Sequence, residues 1–215
     1  MYAGAAQTKS FNIFVFTVKY PTFPVSYKVL KKQQSYRLLG IDPGTNALGY
    51  AVLEIRGKQL HLLDIGVVQL QRMSEQQLKL KHIFERLQTI IRIYEPRDMA
   101  IEAPFYGKNV QSMLKLGRAQ GVAMAAGITL GVDITEYSPR KIKQSVTGNG
   151  NAAKEQVAAM LGQILQVDLS PYDLDATDAL GAAVCHYYQS QSPLSSSKRY
   201  NDWSSFLKDH PDRLK

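Results

Sequence analysis

"LLGIDPGTNALGYAV", residues 38–52, decides how the rest of the chain is read. Leu38 to Ile41 reads as a buried strand, Pro43-Gly44-Thr45-Asn46 as a turn, and Leu48 to Val52 as a second strand folded back on the first. One carboxylate, Asp42, stands between the apolar strand and the turn. A carboxylate at that place costs desolvation unless positive charge meets it.

Outward from this stretch the pattern is regular. Residues 37–42, 47–55 and 59–69 alternate as three strands, the last two joined at Gly57-Lys58, so three antiparallel strands follow one another. Leu80, Ile83, Leu87, Ile90, Ile91 and Tyr94 recur at helical spacing and stop before Pro96. "DMAIEAP" (98–104) is a short buried strand. A long helix is expected from Asn109, a plausible cap, to Gly131, then a strand in "VDITEYS" (132–138) and helices over about 153–165 and 174–189. Three leading strands followed by alternating helix and strand predict an α/β fold: a mixed five-stranded sheet with helices on both faces.

Charge and composition narrow the function. Among 215 residues there is one cysteine, Cys185, which excludes an internal disulfide and a cysteine-built zinc site and fits a cytoplasmic location. The apolar block "FNIFVFTV" (11–18) is far too short to span a bilayer. The net charge is +8, but residues 38–189 carry fifteen residues of each sign. The basic excess lies at the ends: six Lys/Arg and no acid over 1–37, and five Lys/Arg against three Asp over 190–215. From Lys108 to Lys154, seven Lys/Arg stand against two acids, making that segment the better candidate for a nucleic-acid surface. Three divisions follow: a basic N-terminal extension (1–36), a core domain (37–190) and a Ser-rich C-terminal tail (191–215) in which "NDWSSFLKD" could form a short helix.

Four acids stand out by position. Asp42 ends the first strand and Glu102 the fourth, so parallel strands can bring both to one sheet edge. Asp175 and Asp178, in "DATDAL", open the last helix three residues apart and share a face. Each alone is an ordinary turn or capping residue. Glu102 is different, because neither turn nor cap chemistry explains a glutamate in an apolar strand. If the four converge, their repulsion is relieved by protonation or by a divalent cation. Oxygen ligands without His or Cys favour Mg²⁺ or Mn²⁺. Two such ions about 3.5–4 Å apart are a general device for in-line attack of water on a phosphodiester.

With these residues in place, the chain resembles the RuvC family of Holliday-junction resolvases, within the RNase H-like superfamily. The resemblance covers roughly 37–189 and rests on four ordered blocks: "LLGIDPGTNALGYAV", "IEAPFYGKNVQSMLKLGRAQG", "YSPRKIKQSVTGNGNAAKEQV" and "DATDAL". It implies an RNase H-like sheet and an endonuclease that cuts four-way DNA junctions by paired symmetric nicks in recombination and repair. It implies Asp42, Glu102, Asp175 and Asp178 as catalytic acids holding two Mg²⁺ per subunit, with Mn²⁺ able to substitute. It implies Phe105 stacking on bases at the junction, and Lys143 and Lys154 on phosphates. Arg140 and Lys141 belong to the same basic block, which would neutralise phosphates in a salt-sensitive way. A homodimer matched to the two-fold junction is implied too, as is work with the RuvA–RuvB branch-migration machinery. The small residues of the long helix, from Gly117 to Gly127, permit either a dimer contact or packing on its own sheet.

The ends depart from the family pattern, since 36 residues precede Arg37. That extension is either a basic arm or a gene-start artefact. "GIDPGT" also resembles the phosphate-binding hairpin of actin-like ATPases, but no second Gly-rich loop accompanies it.

Overall fold

The computed structural model describes residues 35–104 and 109–191. Phe105, the extension through residue 34 and the tail from residue 192 therefore lie outside the described residues. In chain order the elements are β1 (Tyr36–Asp42), β2 (Ala47–Arg56), β3 (Gln59–Gln69), α1 (Gln76–Tyr94), β4 (Asp98–Glu102), α2 (Val110–Ile128), β5 (Asp133–Tyr137), α3 (Pro139–Thr147), α4 (Lys154–Leu165) and α5 (Leu174–Gln191). The five strands form one sheet in the order β3-β2-β1-β4-β5. β1, β2 and β3 pair antiparallel, whereas β4 and β5 join β1 in parallel. The mixed sheet expected from the alternation is present.

Period-two alternation in β1 sends neighbours to opposite faces. Leu39 and Ile41 join Met99, Ile101, Ile83, Leu87, Ala119 and Ala123 in the core beneath α1 and α2. Leu38 joins Ala51, Leu53, Leu161, Ala179, Leu180 and Ala183 beneath α4 and α5. Truncating any of these fully buried leucines to alanine costs about 2–5 kcal/mol.

α5 is the innermost helix. Ten of its residues are buried, from Ala176 to Tyr187, and most of them are small. A helix apolar nearly all round belongs in a core rather than on a surface. Asn109 caps α2 as the sequence suggested, its side chain accepting from the Ser112 N–H at 3.1 Å. α1 ends at Tyr94, where Glu95 turns left-handed (φ 46°) ahead of Pro96.

One helix was not anticipated. α3 covers "PRKIKQSVT", inside what reads in sequence as a basic block between a strand and a loop. Its signals are local: Ser138 accepts from the Lys141 N–H and Pro139 takes the first turn. Among the described residues no helix is long and apolar enough to cross a membrane.

Candidate active site

β1 and β4 end together. Ile41 is in parallel register with Ile101, so the next residues, Asp42 and Glu102, leave the same edge of the sheet. Across the antiparallel pair, Asp42 faces Gly49 of β2. The N-terminus of α5 lies directly over this corner, and two glycines allow it. A Cβ on Gly40 would stand 2.0 Å from the Ala179 carbonyl oxygen, and one on Gly49 would stand 1.9 Å from that of Asp175. Without side chains at these positions, the helix backbone descends onto the strands and delivers its acids to Asp42.

One carboxylate oxygen from each of Asp42, Asp175 and Asp178 lies within 4.8 Å of the others. Glu102 does not enter that triplet. It stands close enough that its charge raises the pKa of Asp42 and Asp178 raises its own. The four expected acids thus meet as a tight trio with a fourth at electrostatic range.

Their electrostatics are strained. Burial, then the charges of Glu102 and Asp178, push Asp42 up to about 8, with Lys154 pulling the other way. Burial and Asp178 push Glu102 up to about 7, against Lys154 and Lys143. At neutral pH this corner therefore holds a proton or needs more positive charge than the chain provides. Part of that charge is Lys154, whose Nζ donates to Asp178 Oδ2 and forms an ion pair with it. Burial draws the Lys154 pKa down, but Asp178, Asp42 and Asp175 more than offset it, and the net shift is upward. Hard oxygen donors, crowding and unmet negative charge fit a divalent cation such as Mg²⁺ or Mn²⁺.

A cavity of about 490 Å³ opens beside the acids. Glu102 and Asp178 line it together with Arg140, Lys143 and Lys154. Three of the four expected phosphate contacts therefore share the cavity with the carboxylates. Lys141 does not line the cavity; helical phase turns it away, and its charge acts on Cys185 instead. Two features that sequence reading did not connect to the site complete it. Lys79 of α1 donates to the Thr45 carbonyl at 3.0 Å, and the Leu70 N–H donates to the Asn46 carbonyl at 2.8 Å, pinning the turn after Asp42. A lysine in an amphipathic helix carries no local sign of such a role.

Known proteins match this chain in sequence and fold. The family model described as crossover junction endodeoxyribonuclease RuvC matches residues 38–186. The crossover junction endodeoxyribonuclease RuvC of Cytophaga hutchinsonii is 57% identical over 178 residues, covering 83% of this chain and 88% of the relative. The Thermus thermophilus RuvC structure in complex with Holliday junction substrate superposes with a TM-score of 0.68 at 30% identity, over 73% of this chain and 95% of that one. The yeast mitochondrial Holliday junction resolvase shares the fold, with a TM-score of 0.54 at 12% identity over 70% of this chain and 77% of its own. The chain belongs to the RuvC family of crossover junction endodeoxyribonucleases.

Proposed function

We infer that this chain resolves four-way DNA junctions by metal-dependent phosphodiester hydrolysis at the corner where β1, β4 and α5 meet. The observation that carries the reading is the trio Asp42, Asp175 and Asp178, with oxygens within 4.8 Å, beside a cation-lined cavity. Asp42, Asp175, Asp178 and Glu102 would hold two Mg²⁺ ions per subunit. Such ions supply charge neutralisation at the scissile phosphate and acidification of water. The protein's own part is to hold the carboxylates at one point, to exclude bulk water from half-buried Asp42, and to anchor DNA phosphates through Arg140, Lys143 and Lys154. Lys141, on the other flank of α3, is left with a weaker, outer contact. Phe105, three residues after Glu102, serves as the base-stacking residue, which is worth about 1–3 kcal/mol per base; its support is the sequence alone.

The active unit is a homodimer, matching the two-fold symmetry of the junction. On α2, Ala119, Ala123, Ala126 and Gly127 are spent on the core. A second stripe, Val110, Leu114 and Ile128 with Gly117 and Gly121 between them, stays exposed, and nothing described lies within 4 Å of a Cβ at either glycine. That stripe is suited to a second copy of the helix. Residues 37–190 form the nuclease domain, with 1–36 and 191–215 as appendages. The RuvA–RuvB complex is the expected partner and the cytoplasm the expected location, in line with a single, free and buried Cys185.

The test is a synthetic four-way junction incubated with and without Mg²⁺ and resolved on a denaturing gel beside linear duplex. Paired symmetric nicks that require Mg²⁺ and spare the duplex are expected. Binding without nicking under all metal conditions would reduce the chain to a junction-binding protein.

A further inference from the structure

The loop between α3 and α4 runs beside the cations of the cavity. Lys143 precedes it, Lys154 follows it as the first residue of α4, and Arg140 lies against it. α4 has Ala153 at its N-cap with no side-chain capping bond, and it opens on a lysine at the end where the helix dipole disfavours positive charge. The cap of α4 therefore does not anchor Lys154; its ammonium is held by the ion pair with Asp178, and its backbone follows directly from the loop.

One side chain ties that loop. Gln144, in the last turn of α3, donates through Nε2 to the Gly148 carbonyl at 2.6 Å. Its Oε1 accepts from the Gly150 N–H at 3.0 Å. A single amide, donor at one end and acceptor at the other, closes the turn on both sides. Thr147 and Asn149 add a second layer, with the Asn149 N–H on Thr147 Oγ1 at 3.1 Å and the Asn151 N–H on Asn149 Oδ1 at 3.0 Å. Gly150 is thereby held beneath Arg140: a Cβ there would meet Arg140 Cγ at 2.7 Å. Fixing Gly150 fixes the base on which the arginine lies.

We propose that Gln144 is a positioning residue for DNA binding, whose amide sets the loop that aims Arg140 and Lys154 at the phosphodiester backbone. The proposal rests on the nuclease reading of the cavity. Gln144 carries no charge, so it contributes to the salt-dependent part of binding only through the cations it places.

That distinction gives the test. Affinity of the full-length chain for a fluorescently labelled four-way junction is measured in EDTA over a series of KCl concentrations. Each lost phosphate contact lowers the slope of log affinity against log salt by about 0.9. Gln144→Ala is expected to weaken binding at least about threefold and to flatten the slope by about one, like removal of a lysine. Adding Lys154→Ala to Gln144→Ala should then flatten the slope less than Lys154→Ala does in the wild type. Gln144→Met, which keeps the volume and loses both hydrogen bonds, should behave as Gln144→Ala. A merely destabilised protein loses active fraction without a change of slope, so wild-type slopes in both Gln144 variants would overturn the proposal. Failure of the wild-type chain to bind the junction would overturn the nuclease reading instead, and the proposal with it.

Discussion

Gly49 faces Asp42 across the β1–β2 pair, and the carbonyl oxygen of Asp175 sits 1.9 Å from where a Gly49 Cβ would be. The absence of one methyl group in β2 is therefore what lets the last helix bring its acids to the first strand. Gly49→Ala must push against backbone, which cannot swing aside as a side chain can. Overpacking of this kind costs about 1–3 kcal/mol. Urea unfolding should show that loss, and junction cleavage should fall further than the folded fraction does, because Asp175 is displaced from Asp42. Unchanged stability and cleavage would mean that α5 does not rest on β2 as described.

Asp178→Asn removes one carboxylate from the trio and the partner of Lys154. Cleavage of a four-way junction should fall by more than about a hundredfold, the scale on which loss of a group that stabilises the transition state is felt. Junction affinity, measured by gel shift, should hold or tighten, since a negative charge facing DNA has gone. Asp42→Asn should give the same separation of binding from cutting.

Without divalent metal, the stability of the protein should fall as pH rises. Asp42 and Glu102 titrate near 8 and 7 in the folded chain, against 3.8 and 4.5 as ordinary carboxylates. Between those limits the native state holds protons that the unfolded chain has released, so each step up in pH favours unfolding. The melting temperature of metal-free protein should decline from pH 5 to pH 8.5. Asp42→Asn should make the decline shallower. Added Mg²⁺ should restore more stability at pH 8 than at pH 5, because metal and proton compete for the same oxygens.

Leu114 lies on the exposed stripe of α2 at 51% exposure, so a charge there costs the monomer little. Leu114→Glu should convert a dimer to a monomer by light scattering while the circular dichroism spectrum of the folded chain is kept, with a midpoint lowered only by the lost association. A Leu114→Glu dimer of wild-type strength would move the subunit contact to another face.

Glu102 was legible because a glutamate in an apolar strand breaks a local rule, whereas Asp42, Asp175 and Asp178 are singly ordinary turn or capping residues and stood out only as a set. The mixed sheet was legible from three leading strands followed by alternating helix and strand, but the strand order β3-β2-β1-β4-β5 came from the structure. α3 was hidden because its cations draw the eye to charge rather than to the Ser138-Pro139 start and the buried pair Ile142 and Val146. Its helical phase also separates Lys143, on the cavity, from Lys141, off it, a distinction a linear basic block does not contain. Gly40 and Gly49 gave no signal, since what excludes a side chain there is a helix from the far end of the chain. Lys79 and Gln144 bond to backbone carbonyls and amides, which every residue has, so their partners cannot be read from residue types.

On the nuclease reading, Asp42, Asp175 and Asp178 grip a divalent cation with Glu102 beside them. Anomalous diffraction from crystals of the full chain grown with Mn²⁺ tests it most directly. Density about 2.1 Å from an oxygen of each of the three aspartates, the distance a hard octahedral cation keeps, is the expected result. Empty density at that corner in crystals whose dissolved protein still cuts junctions with Mn²⁺ would contradict it.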